Sequence, residues 1–422
     1  MNKQLAAWLW RLKNPGVMRA YSEIKSYEGR FSELVALYFE RLLRHAKETV
    51  PYYEHITLVG VDQIATLPIM TKEIIRAVPD QLVSSTKGRY NYWQNTSGGS
   101  TGEPVRLLQD EEYQRWVGAS IHYYFKDLVG CDWSVSRKLD IWGSVDDFEK
   151  RTSSLSARLR NKLSNTVFVN AFRFGEEDMI QTIHKINQHR PDILKGYSNS
   201  LYDLACFIER NGLKIHSSKV ISTRTAMVYP EQRETMERVF GGKVFDFYGS
   251  RESSAIAGEV SNQKGRVILE FNNIIEVVNG EILLTNLHNY TMPLIRYKIM
   301  DQADHVERLN GLLPSLHGLN GRVFDYFLIY DKNRVHVQYV ITLFFFIEGL
   351  VKFQIIQHDF TNYTINYIPE KDADVPEGKK QEIVERMKKA LRNDISVRWQ
   401  PQAEIQKTQS GKHFYARCEI GK

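Results

Sequence analysis

The 422-residue chain carries 56 Lys+Arg against 50 Asp+Glu, a formal charge of +6, with 42% hydrophobic and 25% charged residues. That is an ordinary globular composition in a chain longer than one hydrophobic core usually organises, so two domains are expected. The charge excess is small and has no long basic run, which admits an anionic small ligand and gives no ground for nucleic-acid binding; three scattered cysteines, Cys131, Cys206 and Cys418, exclude a disulfide framework and a cysteine-based zinc site and fit a reducing cytoplasm.

Residues 1–13 place Leu5, Trp8, Leu9, Trp10 and Leu12 beside Lys3, Arg11 and Lys13. The apolar core is too short for a signal peptide and has no small-residue cleavage site. Two readings stay open: a helix docked on the protein's own body, and a helix in peripheral contact with a membrane surface. Residues 340–347 form an apolar run too short to span a bilayer, which needs about twenty residues, so no transmembrane segment is expected.

The spacing of Phe31, Leu34, Val35, Tyr38, Leu42 and Leu43 predicts a helix within residues 27–50, stopped by Pro51. Leu67-Pro68 reads as a turn into another helix. Residues 94–104 then hold Thr96, Ser97, Ser100 and Thr101 among Gly98, Gly99 and Gly102, closed by Glu103-Pro104. Glycines let a backbone approach a ligand closely, and hydroxyls with free N–H groups suit phosphate oxygens, so the stretch reads as an anion-holding loop or, more plainly, a polar linker. It is not a Walker loop, because no lysine follows Gly102. Residues 105–109 are strand-like, and Asp110-Glu111-Glu112 opens a helix with acids in its first turn.

Residues 137–143 predict a strand, and the serine-interspersed basic segment 150–162 reads as solvated surface. Helices over 176–190, 200–211 and 230–240 alternate with short strands at 193–197, 219–222 and 243–247. That alternation predicts an α/β fold with a mainly parallel sheet flanked by helices, whose ligands bind beyond the strands' carboxyl ends. Two loops fall there, Gly196-Tyr197-Ser198 and Tyr248-Gly249-Ser250-Arg251-Glu252. Closely spaced strands from residue 266 to 285, turning at Asn279-Gly280, predict a β-rich subdomain. A small α+β unit follows, with strands near 351–357, 363–368 and 395–399 and a helix over 377–392. The boundary is placed so that residues 1–322 form the large domain and 323–422 the small one.

Taken in this order, the pieces resemble the adenylate-forming superfamily of acyl-CoA synthetases, adenylation domains and luciferases, and within it the phenylacetate-CoA ligase group with its CapK-like members from polysaccharide gene clusters. The likeness runs from Leu67-Pro68 to Lys412. Thr96-Ser97-Gly98-Gly99-Ser100-Thr101-Gly102 matches the family's phosphate loop, and residues 191–198 match a stretch characteristic of the group. Tyr248 to Glu252 matches the aromatic-Gly-x-Thr-Glu motif, Pro293-Leu294-Ile295-Arg296-Tyr297 leads to the ribose-binding aspartate at Asp301, Gly321-Arg322 matches the hinge, and Ser410-Gly411-Lys412 the C-terminal lysine turn.

The resemblance implies a carboxylate attacking the α-phosphorus of ATP, an encounter of two anions that needs neutralisation and alignment. It implies catalytic roles for Lys412, bridging carboxylate and phosphates, and for Glu252, holding Mg²⁺. The glycine loop would grip the β/γ phosphates, Asp301 the ribose hydroxyls, Arg322 the ribose side, and Tyr248 the adenine. Coenzyme A is the implied acceptor, with the small domain acting as a mobile lid. An amide- or ester-forming ligase of capsular or surface polysaccharide synthesis and a non-catalytic nucleotide-binding protein are the alternatives; a homodimer is compatible with each.

Three departures stand out. Arg251 replaces the usual threonine, Met300 replaces the usual glycine before Asp301, and residues 259–271 lack the Cys and His of relatives with a zinc site, so no structural zinc is expected. The aromatic run His122-Tyr123-Tyr124-Phe125 and the Gly196-Tyr197 loop are candidate walls of an acyl pocket, although aromatics on a helix face are more often core.

Overall fold

A computed structural model describes residues 8, 10–96, 105–142, 152, 154–170, 176–224, 228, 230–309, 312–319, 321–322, 326–329, 334–344, 347, 349–370, 373–391, 393–405 and 416–420. The chain forms two compact units: residues 1–97, 106–299 and 303–319 make the first, and residues 98–105, 300–302 and 320–422 the second.

The first unit opens with two helices, α1 (Pro15–Ser26) and α2 (Phe31–Thr49). The periodicity within 27–50 belongs to α2, whose buried face includes Leu34, Val35, Tyr38, Leu42 and Leu43. Pro51 opens a short 3₁₀ turn after it, and α1, with its weaker apolar pattern, adds a helix the sequence reading lacks. Trp10 is buried with its ring 4.9 Å from the His122 ring, while Trp8 and Leu12 are exposed.

Strands β1 (Tyr92–Thr96) and β2 (Arg106–Asp110) form an antiparallel hairpin with Thr96 opposite Arg106. Asp110 caps the helix that follows, α3 (Glu111–Tyr123), as its first-turn acids suggested.

Among the described residues, nine strands form the central sheet. Five are parallel, in spatial order β4 (Thr166–Asn170), β3 (Lys138–Trp142), β5 (Ile193–Tyr197), β6 (Val220–Arg224) and β7 (Lys243–Tyr248). The antiparallel strands β8 (Ala257–Val260), β9 (Gln263–Ile268), β14 (Ser315–His317) and β13 (His305–Glu307) extend it beyond β7. Helices between the parallel strands are α4 (Leu155–Leu163), α5 (Glu176–His189), α6 (Ser198–Arg210) and α7 (Pro230–Phe240). Leu139, Ile141, Leu194 and Ile221, one face of the parallel strands, pack with Ile183, Ile186, Leu204 and Phe240 from the helices. Period-2 alternation puts the intervening residues of each strand on the opposite face.

The β-rich stretch begins with the hairpin β10 (Asn273–Val278) and β11 (Glu281–Asn286), turning at Asn279 and Gly280 with φ +53° and +78°. Both central residues at positive φ is the condition of a type I′ turn, which Asn-Gly meets at low cost. After it comes β12 (Tyr297–Gln302). Arg296, buried and at φ +49°, ties this region together: its guanidinium donates to both Glu276 oxygens at 3.0 and 2.9 Å and to the carbonyls of Ala65 and Leu67.

In the second unit, β15 (Gly321–Arg322) pairs antiparallel with Asp301 and Gln302. Strands β16 (Leu350–Gln357) and β17 (Asn362–Pro369) are antiparallel, with β18 (Ser396–Pro401) parallel to β17 and β19 (Ala416–Cys418) parallel to β16. A helix over Glu377–Leu391 lays Ile383, Met387 and Leu391 on this sheet's core of Phe353, Ile355, Tyr363 and Ile365. No helix among the described residues is long and apolar enough to cross a membrane.

Candidate active site

The loop Tyr248 to Glu252 leaves the carboxyl end of β7, where the parallel part of the sheet ends. Its turn is closed by Ser250, whose N–H donates to the Ser253 carbonyl at 2.9 Å while its Oγ accepts the Ser253 N–H at 3.1 Å. Behind the turn, Asn272 Nδ2 donates to the carbonyls of Ser254 and Ala255, and Asn273 Nδ2 to that of Ala255. Those bonds hold Ala255 at φ +54°, a left-handed conformation that costs a non-glycine residue about 1–3 kcal/mol. A Cβ at Gly249 would lie 3.3 Å from the Ala255 nitrogen, so the loop folds tightly against itself.

The β1–β2 hairpin, stem of the glycine-rich stretch, is fastened to this loop. Asn95 Nδ2 donates to the Arg251 carbonyl at 3.1 Å and to Gln109 Oε1 at 3.1 Å; Gln109 Nε2 donates to the carbonyls of Arg251 at 3.0 Å and Glu252 at 3.2 Å. In return, Arg251 Nη1 donates to Thr96 Oγ1 at 3.3 Å. Two motifs about 150 positions apart are thus joined by side-chain amides acting on main-chain carbonyls.

Asp110 anchors the far end of the hairpin. Its Oδ1 accepts the Tyr113 N–H at 2.9 Å, and its Oδ2 accepts the N–H groups of Tyr290 and Thr291, each at 2.8 Å. Burial pushes this carboxyl above its ordinary range, and the three N–H donors oppose that shift. Asn289 Nδ2 adds a bond to the Leu108 carbonyl at 2.8 Å, so β2 also fixes the segment leading to Pro293.

Glu252 is 3% exposed, and its Oε1 has no hydrogen-bond partner among the described residues. A buried carboxylate oxygen left unpaired is costly unless a ligand completes it. It fits Mg²⁺, a hard cation usually held by one or two carboxylates plus substrate phosphates. No cluster of three or more His, Cys, Asp or Glu that could hold a metal occurs among the described residues.

Tyr248 is half-buried, its carbonyl accepting the Ile256 N–H at 3.1 Å. In the second unit Asp301 is buried and sits opposite Arg322 in the strand register, next to Met300 at φ +73°. Ser97, Gly98, Gly99, Ser100, Thr101, Gly102 and Lys412 lie outside the described residues.

Sequence reasoning missed Asn95 and Gln109 as clamps. The available signal was two amides two positions out of register on one face of a hairpin, within reach of each other. The aromatic run is a correction: His122, Tyr123, Tyr124 and Phe125 are all buried, and Tyr124 Oη donates to the Glu259 carbonyl at 2.6 Å. They form core: Tyr124 and Phe125 pack on Phe247 of β7, His122 on Trp10 and Tyr21, and Tyr123 on Phe31 and Phe271. Gly196 is likewise in β5, where a Cβ would lie 3.0 Å from Leu201 Cγ and 3.1 Å from Ile141 Cβ.

Comparison with known proteins places this architecture. Residues 327–416 match the CapK C-terminal domain family. Over 400 residues the chain is 24% identical to Protein CapK of Staphylococcus aureus, covering 88% of this chain and 85% of that protein. Among solved structures, 2-hydroxyisobutyryl-CoA ligase in the postadenylation state with 2-HIB-AMP superimposes with a TM-score of 0.62 at 14% identity, covering 92% of this chain and 89% of that one. The same ligase with 2-HIB-AMP and CoA in its thioesterification state gives a TM-score of 0.56, also at 14% identity, covering 92% and 90% of the two chains. The fold is that of the acyl-CoA ligases, a large α/β part followed by a C-terminal domain. Within that class the chain is similar to the adenylate-forming, CapK-like group.

Proposed function

We propose that the protein is an ATP-dependent, adenylate-forming ligase. A carboxylate oxygen of the acid substrate attacks the α-phosphorus of ATP, the bond to pyrophosphate breaks, and the acyl-adenylate forms. An acceptor nucleophile then takes the acyl group and releases AMP. The reading is carried by the clamp of Asn95 and Gln109, which fixes strands β1 and β2 against a loop bearing a buried carboxylate oxygen without a described partner.

In this mechanism Glu252 would hold Mg²⁺, which when bound neutralises phosphate charge. Arg251 supplies a guanidinium beside Thr96, suited to a phosphate oxygen through its planar fork. The glycine loop grips the β/γ phosphates, Lys412 bridges the carboxylate and the phosphates, Tyr248 packs on the adenine, and Asp301 and Arg322 serve the ribose. The second unit acts as a lid between the two half-reactions. The site of action is the cytoplasm.

Coenzyme A is the proposed acceptor, a role supported by its presence in the neighbouring ligase structure. A second reading, an amide or ester ligase of surface-polysaccharide synthesis, is favoured by the CapK C-terminal domain match. ATP–pyrophosphate exchange across aryl, alkyl and amino acids tests the first half-reaction. Exchange with any acid supports the ligase; silence across a broad panel would leave a non-catalytic nucleotide-binding protein. AMP release on adding coenzyme A, against amines and sugars, then separates the two acceptors.

A further inference from the structure

Helix α4 presents a face that the ligase chemistry does not use. Residues 150–163 hold five cations, Lys150, Arg151, Arg158, Arg160 and Lys162, and no carboxylate. Ser154 caps the helix by accepting the Ala157 N–H at 3.0 Å, and Ala157 is the one helix residue that is buried. Leu155 and Leu159, one turn apart and therefore on one face, are 83% and 57% exposed. Arg158, Arg160 and Lys162 are exposed beside them, and none makes an ion pair among the described residues. The helix leads into β4, the edge strand of the central sheet.

We infer that α4 docks on an anionic bilayer surface, with Leu155 and Leu159 entering the headgroup region and Arg158, Arg160 and Lys162 meeting lipid phosphates. A mixture of exposed leucines and uncompensated cations on a short helix is the pattern of an interfacial anchor. The other occupants suit it less. A second copy of the chain would set these cations against their own kind, and nucleic acid would take the cations while leaving both leucines in water. Nine residues with two leucines give weak, reversible attachment.

The test is co-sedimentation of the full chain with phosphatidylcholine vesicles, with and without phosphatidylglycerol. Binding is expected to need the anionic lipid and to fall with salt. Replacing one cation, Arg158→Gln or Arg160→Gln, should weaken it about fivefold. Leu155→Ser with Leu159→Ser should weaken it further while the melting temperature and ATP–pyrophosphate exchange stay at wild-type values. Equal binding to both vesicle types, no binding to either, or wild-type binding by the leucine variant would overturn the inference. So would a dimer in solution that the leucine variant dissolves, since the face would then belong to a second copy.

Discussion

Gln109 Nε2 lies 3.2 Å from the carbonyl oxygen of Glu252 and 3.0 Å from that of Arg251, so one buried amide of the hairpin sets the height of the carboxylate loop. Gln109→Leu keeps the volume and removes the donor. The Arg251 carbonyl retains Asn95, but the Glu252 carbonyl loses this donor. Stability should fall by about 1–3 kcal/mol, the usual result of stranding a buried acceptor. ATP–pyrophosphate exchange should drop about tenfold, since misplacing a catalytic group by a fraction of an ångström is expensive. Chemical denaturation and exchange rates measured on the same preparation check both; unchanged exchange in a destabilised variant would reduce the clamp to a structural role.

Glu252→Gln keeps the shape of a buried side chain and removes its charge. With Oε1 unpaired among the described residues, the folded protein has little to lose, so the melting temperature should hold or rise slightly. Exchange should nevertheless fall on the order of 10²–10³, and the Mg²⁺ concentration needed for half-maximal rate should increase. Lys412→Ala should show a loss of the same order without the Mg²⁺ effect. A Glu252→Gln protein that turns over normally would remove the carboxylate from the mechanism.

Arg251 takes the position where the superfamily usually has threonine, and it reaches Thr96. If its guanidinium serves a phosphate oxygen, Arg251→Ala should slow exchange by about 10- to 100-fold, the value of a hydrogen bond to a charged group. Arg251→Thr should recover a good part of that loss. The opposite ordering, with Arg251→Ala faster than the parent, would mean that arginine obstructs the site.

Much of the fold was legible because periodicity and stop signals coincide. The alternation from β3 to β7 has one helix stopped before Pro191 and strands of five or six residues, and the Asn279-Gly280 turn announces its hairpin. What escaped was tertiary. Asn95 and Gln109 act on residues some 140 to 160 positions away, and nothing in a local pattern says that an amide will meet a distant carbonyl. Asp110 was readable as a helix opener from its neighbours Glu111 and Glu112, yet its second oxygen serves Tyr290 and Thr291. The His122 to Phe125 rings were open to either reading, since a helix buries and lines pockets with the same residues.

Met300 stands where the family resemblance implies glycine, and its φ of +73° is a conformation that glycine adopts without strain. A side chain there costs about 1–3 kcal/mol, against a glycine entropy cost of about 0.5–1 kcal/mol. Met300→Gly should therefore stabilise the protein by about 1 kcal/mol, read as a higher denaturation midpoint with unchanged slope. A lower midpoint would show that the Met300 side chain contributes more by packing than its backbone loses.

Buried histidines should make the fold acid-sensitive before its carboxylates titrate. His288 stacks on Trp116 with ring centroids 3.8 Å apart, its Nε2 donating to the Phe271 carbonyl at 2.8 Å, and burial pulls its pKa from 6.5 to about 3. His122, packed between Trp10 and Tyr21, is pulled by burial to about 4. Both folded values lie below the unfolded one, so the unfolded chain binds protons that the folded chain refuses. Stability is full above pH 6.5 and declines as pH falls toward 4, each site adding a slope of about 1.4 kcal/mol per pH unit. His288→Phe preserves the stack and removes one titration, and should lower the slope of stability against pH by about 1.4 kcal/mol per pH unit in urea denaturation measured across the same range. A slope that His288→Phe leaves unaltered would mean that this imidazole takes up its proton in the folded state as readily as in the unfolded one.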